Sequence, residues 1–189
     1  MKNITETILN LLNNNHTKVE IKQDFSGNYY NCITDTIYIS GKLQETKQTK
    51  RPKNINVNVA RLIMLCHESI HSIQGKWLHL SNIIFSNLSI ILTLVSIIMG
   101  LFWTNFLWTK LFGVVVIVAS VVIRLKLELD AINGSVDLAE KLVLQEKIEG
   151  IRIDQINEGK YYIQKHKMLA ILQMIADKII FLVLILLIK

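Results

Sequence analysis

Residues 57–75 read VNVARLIMLCHESIHSIQG, and this stretch decides the fold around it. An apolar run leads into His67-Glu68-Ser69-Ile70-His71, which has the spacing H-E-x-x-H. Residues four apart lie on one face of an α-helix, so the two imidazoles can offer nitrogens to one metal ion. Glu68 lies one position round the helix, where it can accept a proton from a metal-bound water. The stretch predicts a buried helix over about 56–75; the alternative for its histidines is a buried pair that only packs.

Upstream of the motif, the sequence predicts one short helix and two strands. The amphipathic spacing over 4–14 indicates a surface helix, and Lys18–Lys22 reads as a short strand. Thr36–Ser40 alternates and is rich in β-forming residues, so it predicts a second strand, to which an extended peptide substrate could add by β-augmentation. Residues 42–53 are polar, contain the only proline and indicate a loop.

Downstream, two apolar runs indicate a membrane hairpin. Ile83 to Trp103 carries no charge and is long enough to cross a hydrocarbon core of about 30 Å. The polar pair Thr104-Asn105 separates it from a second run, Phe106 to Ile123, in which Lys110 is the only charge. The alternative is a buried hairpin in a soluble helical bundle. A membrane hairpin would return residues 125–167 to the side that holds residues 1–80.

A third apolar run, Met168–Ile188, predicts a membrane-associated helix, although it includes the charged pair Asp177-Lys178. The chain has 21 Lys and Arg against 15 Asp and Glu, a net charge of +6. No basic-aromatic stripe accompanies this excess, so it indicates an anionic lipid surface and argues against nucleic acid. Because the basic residues concentrate in the polar segments, those segments are expected on the cytoplasmic side of a cell membrane.

A zinc site needs a third protein ligand from the same side of the membrane. Leu127-Glu128-Leu129-Asp130-Ala131 follows the predicted second span and offers two carboxylates. Glu128 and Asp130 differ by about 200° around a helix, so both cannot face one metal. From the residues alone, the alternative is that both are solvated charges.

The order of these features resembles the neutral zinc metallopeptidases of bacterial membranes, the YugP-like family. There, H-E-x-G-H-A-x-Q precedes an apolar hairpin and E-x-D-A follows it. Here the matching stretches are 67–74, reading HESIHSIQ, and 128–131, reading ELDA. The resemblance implies that Glu128 is the third zinc ligand and that Asp130 supports the ligands from outside. It also implies a mainly α fold, in which a membrane helical hairpin joins a zincin-like α+β catalytic region with a short β-hairpin or edge strand.

The chain departs from that family pattern at several positions. Ile70 stands where the family has glycine, which could crowd whatever packs on that face of the helix. Tyr29 and Asn31 stand where the family has His and Asp, and Cys32 stands at its proline. The first membrane segment that such proteins usually have is not recognised at the N-terminus. None of these differences removes a predicted ligand or the predicted base.

The sequence therefore predicts a membrane-anchored zinc-dependent endopeptidase with four segments, 1–80, 81–124, 125–167 and 168–189, that form one catalytic domain. His67, His71 and Glu128 would hold Zn²⁺, Glu68 would act as general base, and a protein or peptide would be the substrate. Tyr161, Tyr162 and His166 are polar candidates to stabilise an oxyanion, and nothing in the sequence selects one. The alternatives are a non-catalytic membrane scaffold or regulator with a structural metal site, and a small channel-like hairpin. The oligomeric state is not predicted.

Overall fold

The computed structural model describes residues 2–23, 27–40, 57–102, 107–145 and 151–187. Over these residues the chain is mainly helical, as predicted, with one small sheet. It divides into two compact units. The first consists of Met1–Gln74 and Leu129–Lys167, and the second of Gly75–Glu128 and Met168–Lys189.

The first unit begins with helix α1 and three short strands. Helix α1 covers Lys2–Leu11, so it begins two residues before and ends three residues before the predicted helix over 4–14. The chain then turns through Asn13, which has a positive φ of 54°. Strand β1 is Lys18–Lys22 and strand β3 is Thr36–Ser40, both as predicted, while the three-residue strand β2, Tyr29–Asn31, was not predicted.

The sheet has the order β1-β3-β2, so the predicted substrate-pairing strand is the central one. β3 runs parallel to β1, with Ile37 opposite Val19, and antiparallel to β2, with Ile37 opposite Tyr30. Both edges of β3 are hydrogen-bonded inside the sheet. Because β3 is paired on both sides over Thr36–Tyr38, these residues have no open edge for the predicted pairing with a substrate.

Helix α2, Val57–Ile73, packs on this sheet and carries the motif. The first unit is completed by the later part of helix α4, which as a whole covers Leu107–Leu144, and by the start of helix α5, Ile153–Leu187. These elements share one hydrophobic core, which includes Cys66, the residue before the motif. Its members are Ile8, Leu9, Ile37, Ile39, Val59, Leu62, Ile63, Leu65, Cys66, Val136, Leu138, Ala139, Leu142 and Ile156.

Cys66 is a small buried side chain of the hydrophobic core. It is fully buried in the core of the first unit, and both cysteines of the chain are free thiols. Burial raises the pKa of the Cys66 thiol far above its ordinary range, because the thiolate would lose its hydration. The side chain next to His67 is therefore a neutral packing group.

The second unit contains helix α3, Lys76–Phe102, together with the first part of α4 and the last part of α5. Two helices among the described residues are long and apolar enough to cross a membrane, α3 over Lys76–Met99 and α5 over Lys167–Leu187. The predicted second span, in α4, is not one of them. The predicted turn at Thr104-Asn105 lies outside the described residues, so the hairpin stays a prediction.

The charged pair in α5 divides between two environments. Lys178 is half-buried, and its Nζ atom donates hydrogen bonds to Ser89 Oγ at 2.8 Å and to Ser86 Oγ at 3.3 Å, both on α3. Asp177 is exposed. The Lys178 ammonium thus has two hydroxyl acceptors among the apolar side chains of these helices, where an unpaired charge would be costly.

Candidate metal centre

Helix α2 brings His67 and His71 together because they lie one turn apart on the same buried face. Their Nε2 atoms are 3.1 Å apart, with the two rings edge to face. His67 is 1% exposed and His71 is 9% exposed. Two nitrogens bound to one tetrahedral zinc would be about 3.3 Å apart. The imidazoles therefore already have the separation of a metal-binding pair.

Gln74 determines which nitrogen of His71 faces its partner. Its Oε1 atom lies 2.7 Å from Nδ1 of His71. An amide oxygen only accepts hydrogen bonds, so Nδ1 carries the proton and donates it. A neutral imidazole has a single N–H, so Nε2 of His71 presents its lone pair towards His67. Support of this kind from a neighbouring acceptor is usual for metal-binding histidines.

Lys167 on α5 faces the other imidazole. Its Nζ atom lies 2.9 Å from Nε2 of His67. Because an ammonium only donates, this Nε2 carries no proton, and its lone pair accepts the hydrogen bond from Lys167. Two lone pairs 3.1 Å apart repel each other unless a positive charge lies beside them. The ammonium of Lys167 supplies that charge, and the donor pair has the chemistry of a cation site.

Glu128 lies on α4, a continuous helix. It is the last residue of α4 that belongs to the second unit, and Leu129 is the first that belongs to the first unit. One ligand atom from each of His67, His71 and Glu128 lies within 4.8 Å of the others. These three are the residues predicted to bind zinc. The set of two imidazoles and one carboxylate fits zinc, which takes nitrogen and oxygen ligands of this kind in hydrolytic sites.

Arg124 is the basic partner of Glu128. Its Nε atom lies 3.3 Å from Oε1 of Glu128, one helical turn away, and the Glu128 side chain is 17% exposed. This ion pair favours one orientation of the carboxylate, as the neighbours of metal-binding carboxylates usually do. Asp130, predicted to support the ligands, is exposed and is not among the three residues whose ligand atoms converge. Its supporting role stays a prediction.

Glu68 is buried and is connected to the sheet. Its Oε2 atom accepts a hydrogen bond from the backbone N–H of Tyr30 at 2.9 Å. Tyr30 is the middle residue of β2, which is an edge strand. The phenol of Tyr30 donates to Asp35 Oδ1 at 3.0 Å, and burial, followed by this bond, raises the pKa of Tyr30. The predicted general base is therefore positioned beside a sheet edge.

Ile70, the residue that differs from the family pattern, packs against a glycine. A Cβ on Gly134 of α4 would lie 3.1 Å from Cδ1 and 3.3 Å from Cγ1 of Ile70. The helix facing Ile70 thus has no side chain at the contact point. The crowding expected at Ile70 is avoided because the partner position is small.

The structure assigns no role to the three candidates for stabilising an oxyanion. Tyr161 is 73% exposed, while the side chains of Tyr162 and His166 lie outside the described residues. Sequence reasoning gave no role to Gln74, Lys167 or Arg124. Gln74 closes the quoted motif and so carried a local signal. Lys167 carried none, because it is 100 residues from His67 and only the tertiary fold brings them together.

No protein-family model, no curated protein and no solved structure matches this chain.

Proposed function

We propose that the chain is a membrane-anchored zinc-dependent endopeptidase. The observation that carries this proposal is the pair of buried Nε2 atoms, 3.1 Å apart, on His67 and His71. The tautomer of His71 is held by Gln74, and Glu128 is the third ligand. A donor set of two imidazoles and one carboxylate leaves a position for water, which suits catalysis better than a closed structural site. The resemblance to a zincin-like catalytic region supports the same assignment.

Each residue of the centre has a separate task in this proposal. Zinc, when bound, supplies an activated water at neutral pH. Glu68 is the general base, and its backbone partner Tyr30 holds the carboxylate in place. A peptide substrate would approach Glu68 beside the edge strand β2, without pairing at Tyr30, because the Tyr30 N–H is already bonded to Glu68. Substrate and base would then meet at the same strand.

The membrane assignment rests on α3 and α5. Many large apolar side chains on these helices are exposed, among them Leu94 at 55%, Ile98 at 56% and Ile180 at 58%. Such surfaces are disfavoured in water and are suited to lipid. The basic polar segments would lie on the cytoplasmic side, which places the metal centre there as well.

The experiment that tests the proposal compares Glu68→Gln with the wild-type protein and with Glu158→Gln, which changes an exposed glutamate of α5. Glutamine keeps an oxygen for the Tyr30 N–H, so the fold should be retained. We expect Glu68→Gln to bind zinc normally but to cleave an unfolded reporter polypeptide at least about a hundredfold more slowly. Cleavage at the wild-type rate by Glu68→Gln would contradict the proposal.

A second candidate function is a non-catalytic scaffold with a structural metal site. The observation in its favour is that Lys167 and Arg124 already engage His67 and Glu128. The two candidates differ in the consequence of removing the base. A scaffold would bind zinc without cleaving the reporter in any variant, whereas the peptidase loses its cleavage only with Glu68.

A further inference from the structure

We propose that Lys167 is a built-in counter-cation that occupies the metal centre when no metal is bound and must leave when zinc binds. This inference rests on the proposed metal site and adds a means of regulating it. Lys167 is half-buried, and its Nζ atom is 2.9 Å from Nε2 of His67, the atom expected to bind the metal. No short sequence motif predicts this contact.

The contact is exclusive because of the chemistry of imidazole. Nε2 of His67 has one lone pair in the plane of the ring. That lone pair accepts the hydrogen bond from the Lys167 ammonium in this structure. The same lone pair would have to coordinate a zinc ion. The ammonium and the metal therefore compete for one atom, and their positive charges also repel each other at close distance.

The packing of α5 on α2 sets the position of Lys167. At Gly159, a Cβ would come within 2.8 Å of Val59 Cγ1 and 3.1 Å of Ile63 Cδ1, so the two helices approach closely there. Lys167 lies eight residues after Gly159, and His67 lies eight residues after Val59. Two turns beyond the close approach, the helices thus bring the ammonium to the imidazole. Gly159 allows α5 to lie close to α2, and this closeness brings Lys167 within hydrogen-bond distance of His67.

The lysine stem allows the ammonium to leave without movement of the helix. Four methylene groups separate the backbone of Lys167 from its charge, and this flexible chain can reorient by rotation about its bonds. The apparent Kd for metal is then the intrinsic Kd divided by the fraction of protein in which Lys167 has left. The device therefore weakens the binding of every metal by the same factor, so that only cations of high intrinsic affinity occupy the site at low concentration.

The test is a zinc titration in competition with a chromophoric chelator. The proteins are the full-length wild type, Lys167→Met and the matched control Lys165→Met, which removes an exposed charge two residues away on α5. Methionine keeps much of the stem but cannot compete for the His67 lone pair. We expect Lys167→Met to bind zinc about tenfold tighter, with Lys165→Met unchanged. Lys167→Gln serves as a second variant if Lys167→Met folds poorly.

The zinc affinity of Lys167→Met has three possible outcomes, and tighter binding supports the counter-cation role. Equal affinity of Lys167→Met and the wild type would overturn the counter-cation role, and weaker binding would make Lys167 a ligand instead. His67→Ala in each background separates this inference from the proposed function. If His67-dependent zinc binding persists while the Lys167 variants show no gain, only the inference fails. If no variant shows His67-dependent binding, the metal site itself fails and the inference fails with it.

Discussion

Ile70 occupies the space that a side chain on Gly134 would need, with its Cδ1 atom 3.1 Å from the position of a Cβ there. Three atoms of this one β-branched side chain face the glycine, and its χ1 angle is restricted within a helix. The isoleucine inside the H-E-x-x-H motif and the glycine on α4 therefore form a complementary pair. The motif helix keeps its approach to α4 although its own position 70 is large.

Substitution of Gly134 by alanine tests this pair. The added methyl group must displace Ile70, and we expect a loss of about 1 kcal/mol in the free energy of unfolding despite the better helix propensity of alanine. Chemical denaturation in detergent measures the change. Gly75→Ala is the control, because a Cβ at Gly75 meets nothing within 4 Å.

The double variant Gly134→Ala with Ile70→Val then measures the coupling. Removal of the Ile70 Cδ1 methyl group relieves the closest contact, so the double variant should be more stable than the sum of the two single changes predicts. Strict additivity would show that the two residues do not constrain each other.

Gln74 is expected to support metal binding through His71. Gln74→Leu removes the acceptor of the 2.7 Å hydrogen bond, so His71 can adopt the tautomer whose Nε2 carries a proton. We expect zinc affinity to fall about 10- to 100-fold, the usual effect of losing such a partner. Equilibrium zinc titration measures it. Gln74→Glu, which keeps an acceptor, should retain affinity close to that of the wild type, and an equal loss in both variants would rule out the tautomer explanation.

Substitutions of Arg124 and Asp130, both on α4, are expected to differ in their effect on zinc affinity. Arg124 contacts the carboxylate of Glu128, whereas Asp130 is exposed. Arg124→Gln should weaken zinc binding several-fold because the carboxylate loses its orienting partner, and Asp130→Asn should leave the affinity unchanged. A loss in Asp130→Asn with none in Arg124→Gln would favour the role that the family resemblance implies for Asp130.

Local patterns explain which parts of the fold could be predicted. The helix over 56–75 and the strands Lys18–Lys22 and Thr36–Ser40 follow from periodicity within short windows, and all three are present. The order of the strands does not follow from such windows. β2 has only three residues, and it makes β3 central through pairing that no local pattern encodes.

The candidate site shows the same division. The approach of His67 to His71 is predictable because a helix places residues four apart on one face. The choice of Glu128 as the third ligand required the resemblance, since the residues alone did not decide between Glu128 and Asp130. Lys167 and the glycine at position 134 could not be predicted, because each acts through a contact between helices far apart in the sequence.

The most direct test of the metal centre is the zinc content of the purified full-length protein, measured by elemental analysis for the wild type, His67→Ala and Glu128→Ala. We predict about one zinc ion per wild-type chain and a large loss in both variants, because each removes one of three converging ligands. Unchanged zinc content in His67→Ala, or no zinc in a folded wild-type protein supplied with the metal, would contradict it.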